Sequence, residues 1–386
     1  NFNEENIITG LLSAICRTRT CSFEEVIRVM LTDSTLEDNK FLMEAEKYGL
    51  LGDFWKLCEQ HFGYTDMKPT LEKLVVTMFV TYTAKYVPSE LPKPWKVFSS
   101  YKAGNIIAFM DNLMNNILYR NRYDELSAHV AAGLNAQSVF SDYPPEDLVN
   151  CDTFAVIDQI LIKWLVERLV AEDTGAKLGE LTIPQLCEKR SKMHFGAKAE
   201  SRYQVLSSAY QMIQAGNYNC PDSFKDILRQ YQETDSGLDY EYRRFYSAYD
   251  RIEDTTAFEP LRDLVENIYT NEYLETLLPK WNSVMQEPDA FTQLPLQRDF
   301  YARIVKNAKE RTVVIISDAM RYEVGKELFH RMQDDPKCSA KLEVQLSVLP
   351  SYTRLGMAAL LPHTELTMTD DFKVLVDGLP CDNLSE

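Results

Sequence analysis

Residues that break helices are scarce in this chain: 14 glycines and 16 prolines serve 386 residues. Between them, apolar side chains recur every three or four positions, the period of a helix with one buried face. Scarcity and period together predict helix over nearly all of residues 1–300. In 152–172, Phe154, Ile157, Ile160, Leu161, Trp164, Leu165 and Leu169 form one wide apolar face, which Val156, Ile162, Val166 and Val170 extend. A deeply buried helix is expected there, with Asp152 as its N-cap. In 259–278, Leu261, Leu264, Val265, Ile268 and Tyr269 follow the same spacing behind Pro260, which suits a first helical turn. Further helices are expected at 23–32, 37–49, 68–86, 103–118, 198–215 and 222–233. Trp164, Leu169, Leu261 and Ile268 should be buried.

Breaks fall at 88–94, 141–145 and 287–295, each carrying two or three prolines. The second divides the helical region into 1–143 and 144–300. The third, with Pro288 and Pro295, is the expected passage into a different kind of domain, beginning near 301 and crossed somewhere between 285 and 311. No fixed-period repeat supports a solenoid.

Beyond residue 300 the pattern changes. Thr312-Val313-Val314-Ile315-Ile316 is a short β-rich run, apolar on both faces, as in a central parallel strand. It ends in Ser317-Asp318. A helix is expected at 320–333, with Val324, Leu328 and Met332 on one face. Lys341–Leu349 then alternates, with Leu342, Val344, Leu346 and Val348 pointing one way, before Pro350 and a second helix from Thr353 to Leu361. The fold class is mainly α: a long helical region followed by the first strand–helix units of an α/β domain.

Composition narrows the function classes. With 45% hydrophobic residues the chain can bury a large core, and 41 Lys+Arg against 58 Asp+Glu give a net charge of −17. So acidic a chain is a poor general binder of polyanions. Eight cysteines show no CxxC pair, which argues against a zinc knuckle and for reduced thiols in a cytoplasmic protein. No apolar stretch approaches the roughly 20 residues of a membrane span, and the first residues lack the basic start of a signal peptide. A soluble protein is expected, and Asn1 in first position reads as an excised or processed segment. The absence of GxxxxGK[ST] leaves a P-loop ATPase unsupported.

Two segments carry candidate chemistry. Asp318 follows the expected strand 312–316, and open α/β sheets bind ligands at the carboxyl ends of their strands. A carboxylate there is a hard metal ligand, or simply a helix N-cap. In the second segment, Ser351 and Thr353 follow the next strand and precede a helix. A hydroxyl there can meet phosphate at the helix N-terminus, act as a metal-activated nucleophile, or cap the helix. Weaker signals favour structure. Lys189, Arg190, Lys192, Lys198 and Arg202 with His194 read as a solvated basic face rather than a nucleic-acid site. Tyr242, Phe245, Tyr249 and Ile252 sit at helical spacing and read as core. His61, His129 and His330 are scattered.

Together, IISDAMRYE (315–323) and LSVLPSYTRLGMAALLPH (346–363) closely resemble the opening motifs of the PglZ family. PglZ domains belong to the alkaline-phosphatase superfamily and serve in BREX phage-defence systems. The helical region before them is similar in kind to the type A members of BREX type 1. The resemblance implies that Asp318 is the first metal ligand and that Thr353 is the nucleophile or metal-bound hydroxyl, with Ser351 a weaker alternative. It implies a divalent metal, zinc by preference, with Mg or Mn possible, and a phosphomonoester, phosphodiester, nucleotide or nucleic-acid substrate. Other BREX proteins, above all the methyltransferase, are the implied partners. Arg321 and Glu323 belong to the motif without an assigned role beyond support of the site.

The superfamily completes its two-metal site with Asp and His residues far downstream. Here 33 residues follow Thr353; Asp370-Asp371 precede Phe372, and His363 sits at a helix end as a cap. A complete site is therefore not expected, and the chain alone should be inactive. The alternative is a helical interaction scaffold for other BREX proteins with a degenerate phosphatase-like domain. If the site forms, Asp318 and Thr353 should approach at one sheet edge.

Overall fold

The computed structural model describes residues 4–32, 35–286 and 294–381. The chain divides into two compact units. One takes the chain up to Ile213 together with Phe245–Asp263; the other takes Gln214–Arg244 and the chain from Leu264 onward. The polypeptide thus passes between units three times, the last two passages lying inside the helices Ser236–Tyr249 and Glu259–Asn267.

The first unit is helical and is built around Leu71–Tyr86. Thr70 caps this helix by accepting from Lys73 N at 3.2 Å. From Leu74 to Thr83 every residue but Val76 is buried, among them Leu74, Val75, Met78, Phe79 and Val80. Such a helix must lie inside the unit, and it packs directly against Ala103–Asn115. Phe79 stacks on Phe154 at 5.8 Å and meets Tyr123 at 5.3 Å. Each aromatic buried in this way contributes about 1.5–3 kcal/mol.

The helix expected at 152–172 spans Val156–Val170. Ala155 occupies its N-cap, and Asp152 has a different task. Its carboxylate accepts from the backbone N–H groups of His194 and Phe195, at the start of the short helix His194–Lys198. The acid is drawn there because those orphan donors lie in the same buried layer as Arg190. Arg190 is fully buried and forms a bidentate pair with Asp158, at 2.7 and 3.0 Å, while donating to the carbonyls of Val149 and Cys151. Tyr203 also donates to Asp158. Leu169, Leu261 and Ile268 are buried as expected, whereas Trp164 is half-buried, at the border of the apolar face.

In the second unit, helix yields to π-type turns at Tyr231–Asp235 and Ile268–Leu274, and Pro279 lies within Glu275–Val284. The stripe 259–278 is thus one interrupted helical path. Of the expected break, Pro288 lies outside the described residues. Tyr322–Gln333 is the expected helix.

The run 312–316 forms no strand among the described residues. Val313 is 75% and Ile315 86% exposed, and no ladder pairs with the run. An apolar run becomes a central strand only when neighbours hydrogen-bond to both sides and cover both faces. The segment 341–348 does show the expected alternation: Leu342, Val344, Leu346 and Val348 are half-buried and the residues between them exposed. A single parallel bridge joins it to the chain at Leu296. The helix Thr353–Ala359 packs its Leu355 and Ala358 against Val374 of an antiparallel sheet made of Leu366–Met368, Val374–Val376 and Leu379–Pro380.

Candidate active site around Asp318 and Thr353

Both candidate residues belong to the second unit. Asp318 is exposed, and its Oδ1 accepts from Ala319 N at 3.0 Å. Ala319 has φ 55°, in the left-handed region that costs an L-residue roughly 1–2 kcal/mol. The helix that follows begins at Tyr322 with Arg321 as N-cap. Asp318 therefore stands three residues ahead of the cap and does not serve as one.

Thr353 is the first residue of its helix. Tyr352 holds the N-cap position and makes no side-chain capping bond. Neither Ser351 nor Thr353 caps the helix, and among the described residues no hydrogen bond occupies the Thr353 hydroxyl. The turn before it contains a cis Leu349-Pro350 bond, and Tyr352 N donates to Pro350 O at 2.7 Å. No hydrogen bond joins Thr353 to Asp318.

Of the first motif only Glu323 is buried. Glu323 is 2% exposed and forms its ion pair with Arg243, Nε to Oε1 at 3.7 Å. Arg243 also reaches Glu327 at 3.3 Å. Tyr322 meets the Tyr231 ring at 5.8 Å, and Lys326 donates to the Gln232 carbonyl at 2.7 Å. Arg321 is exposed and lines a largely apolar cavity of about 650 Å³ with Trp281, Leu278, Met320 and Leu342. Nearby, Asp239 accepts from the hydroxyls of Tyr231 and Tyr269 at 2.7 and 2.8 Å. Burial, with this carboxylate beside them, pushes both phenols up.

His363 bonds only locally, its Nδ1 donating to Leu361 O at 2.8 Å. Asp377 accepts from the N–H groups of Glu365 and Thr364, which, with nearby His363, hold its carboxyl below the usual range. Metal chemistry needs more than the pair supplies. One carboxylate and one hydroxyl fall short of the four ligands zinc takes or the roughly six oxygens of a harder cation. Among the described residues no group of three or more His, Cys, Asp or Glu can hold a metal ion. None of the eight cysteines is in a disulfide, and burial pushes Cys187 up to about 12, which makes it a poor nucleophile near neutral pH.

The basic stretch is not one solvated face. Arg190 is core, Lys189 pairs with Asn150, Lys192 with Glu188, and Lys198 with Asp124. One residue beside the Thr353 turn carries no sequence signal. Gln297 touches both flanks of the Thr353 turn and follows no motif. The Asp377-Gly378 turn did carry a signal, the dipeptide of a two-residue hairpin.

An exposed carboxylate and an uncommitted hydroxyl, each placed just ahead of or at the start of a helix, fit an alkaline-phosphatase-like domain. The family model for the BREX system PglZ alkaline phosphatase-like domain matches residues 298–385. Similarity also extends through the helical region. The alkaline phosphatase-like protein PglZ of Bacillus cereus (strain H3081.97) is 31% identical over 387 residues, covering 97% of this chain and 45% of that protein. The alkaline phosphatase-like protein BrxZ of Escherichia coli O9:H4 (strain HS) is 28% identical over 396 residues, covering 94% of this chain and 45% of that protein. Residues 298–385 match the PglZ domain, and the chain as a whole is similar to PglZ proteins. It spans about half the length of the curated relatives it matches. No solved structure matches it significantly. No helix among the described residues is long and apolar enough to cross a membrane.

Proposed function

We propose that the chain is part of a BREX anti-phage defence component that hydrolyses phosphoesters with a divalent metal, zinc by preference and Mg or Mn as alternatives. The observation that carries this reading is that Asp318 and Thr353 are both exposed and neither caps a helix. Capping is the commonest structural use of such residues. In this reading Asp318 contributes a metal ligand, and Thr353 attacks phosphorus or orients the attacking water. The remaining ligands lie in the part of the relatives' length that this chain does not span. The helical portions 1–143 and 144–300 precede the phosphatase-like domain, which begins near 301. Substrates of either phosphomonoester or phosphodiester type, including nucleotides, fit the chemistry. The cytoplasm is the proposed compartment.

The reading is tested in a protein that includes the relatives' remaining length. Metal-dependent hydrolysis of a generic phosphoester is expected there, and Thr353→Ala should abolish it without unfolding the protein. Retained turnover in a folded Thr353→Ala variant would remove Thr353 from the reaction. The 386-residue chain alone, given Zn²⁺, Mg²⁺ or Mn²⁺, should show no turnover. Turnover lost on Asp318→Ala would make the chain self-sufficient and defeat the view that the ligand set is incomplete.

A second reading makes the helical unit a scaffold for other BREX proteins, the methyltransferase first among them. It is favoured by the adjacent Ile117 and Leu118, which are 73% and 74% exposed. Co-purification with the methyltransferase that survives Thr353→Ala but fails on Leu118→Glu would support it.

A further inference from the structure

We infer that Gln297 is a positioning residue whose carboxamide sets the spacing between the 341–348 segment and the Thr353–Ala359 helix, and so fixes where Thr353 presents its hydroxyl. The inference rests on the reading of Thr353 as the reacting group. Three bonds support it. Gln297 N donates to Leu346 O at 2.8 Å, its Oε1 accepts from Val348 N at 3.1 Å, and its Nε2 donates to Gly356 O at 3.1 Å. One side chain thus grips the polypeptide on both flanks of the turn that carries Ser351 and Thr353.

The chemistry of the residue suits the task. A carboxamide accepts on one side and donates on the other, whereas a carboxylate only accepts and an aliphatic chain does neither. The turn needs such a grip because its own bonds are local. Tyr352 N closes onto Pro350 O, the Tyr352 side chain makes no cap, and Gly356 N returns to Tyr352 O at 2.9 Å within the helix. These bonds shape the turn and leave its register against the 341–348 segment to the flanks. Leu346 N donates to Pro295 O at 2.9 Å, so the strap of residues 295–297 is itself anchored to that segment. The fit at the helix side is close: a methyl added at Gly356 would stand 3.4 Å from Gln297 Nε2.

The test uses the 386-residue chain with labelled threonine methyl groups. In Gln297→Leu the Thr353 methyl resonance should move and broaden, and the Val348 amide should exchange roughly tenfold faster, the scale of one lost hydrogen bond. The buried Thr77 and Thr153 signals should stay in place. In Gln297→Glu, which keeps the shape and the acceptor, Val348 should stay protected while Thr353 still moves, because the donor to Gly356 O is gone. A Thr353 signal unmoved in Gln297→Glu, with Thr77 and Thr153 intact, would overturn the inference even if Gln297→Leu fails to fold. Turnover of Thr353→Ala in the longer protein tests the underlying reading separately, since it does not depend on the Gln297 variants.

Discussion

At the scale of single residues, the costliest positions lie away from the proposed chemistry. Gly196 sits against Arg190, where an added methyl would fall 1.8 Å from the Arg190 carbonyl oxygen. That contact is backbone and cannot swing aside. Gly196→Ala should therefore destabilise the first unit by about 3 kcal/mol, read as a lower urea midpoint at unchanged slope. Arg190→Ala would leave Asp158 buried and uncompensated, at a cost of about 3–5 kcal/mol. A loss under about 1 kcal/mol would show that the pair is dispensable. Ala319 points the other way. Its φ of 55° is a conformation glycine adopts freely, so Ala319→Gly should be neutral or stabilising by about 1 kcal/mol. A clear destabilisation would mean the methyl group has packing to lose.

At the scale of elements, legibility followed the reach of the signal. Phe23–Thr32 ends where its periodicity ends, and the half-buried positions of 341–348 are those its alternation marks. Both signals need only a neighbour of either kind to hide one face. The run 312–316 needs hydrogen-bonded strands on both sides, and no local pattern can supply them. Asp152 departs from the expected N-cap for a related reason. Its partners, His194 and Phe195, are some forty residues away, and sequence spacing ranks the near helix above the distant one. Gln297 was invisible because a glutamine behind a proline break looks like any polar loop residue. The hairpin around Asp377-Gly378, with φ of 51° and 80°, carries its signal in that dipeptide. Gly378→Val should weaken this hairpin by about 1–2 kcal/mol, read from exchange of the Val376 and Leu379 amides. Acid should loosen it too. The Asp377 carboxyl is held below its ordinary 3.8, so its contribution is present above that pH and is lost as pH falls through the lower folded value. Protection of the Glu365 and Thr364 amides should fall over the same range. Unchanged protection at pH 2 would show that the carboxylate is not what holds them.

For the whole molecule, the charge of −17 acts on the folded state through self-repulsion, which dissolved salt screens. Raising NaCl from about 0.05 M to about 0.3 M should increase the melting temperature, because the ordinary surface ion pairs that salt weakens are each worth little. A falling melting temperature would mean that paired charges outweigh repulsion.

The threefold passage between units bears on how such a protein can be cut and traded. The matched domain begins at residue 298, yet Tyr322, Glu323 and Lys326 find their partners in Tyr231, Arg243 and Gln232. A fragment opened at 298 would leave its first helix with a stranded acid and a bare aromatic ring. Nor could evolution, or an engineer, graft the phosphatase-like piece from one relative into another by a single crossover at that boundary. A transplant that kept these contacts would have to bring Gln214–Arg244 with it.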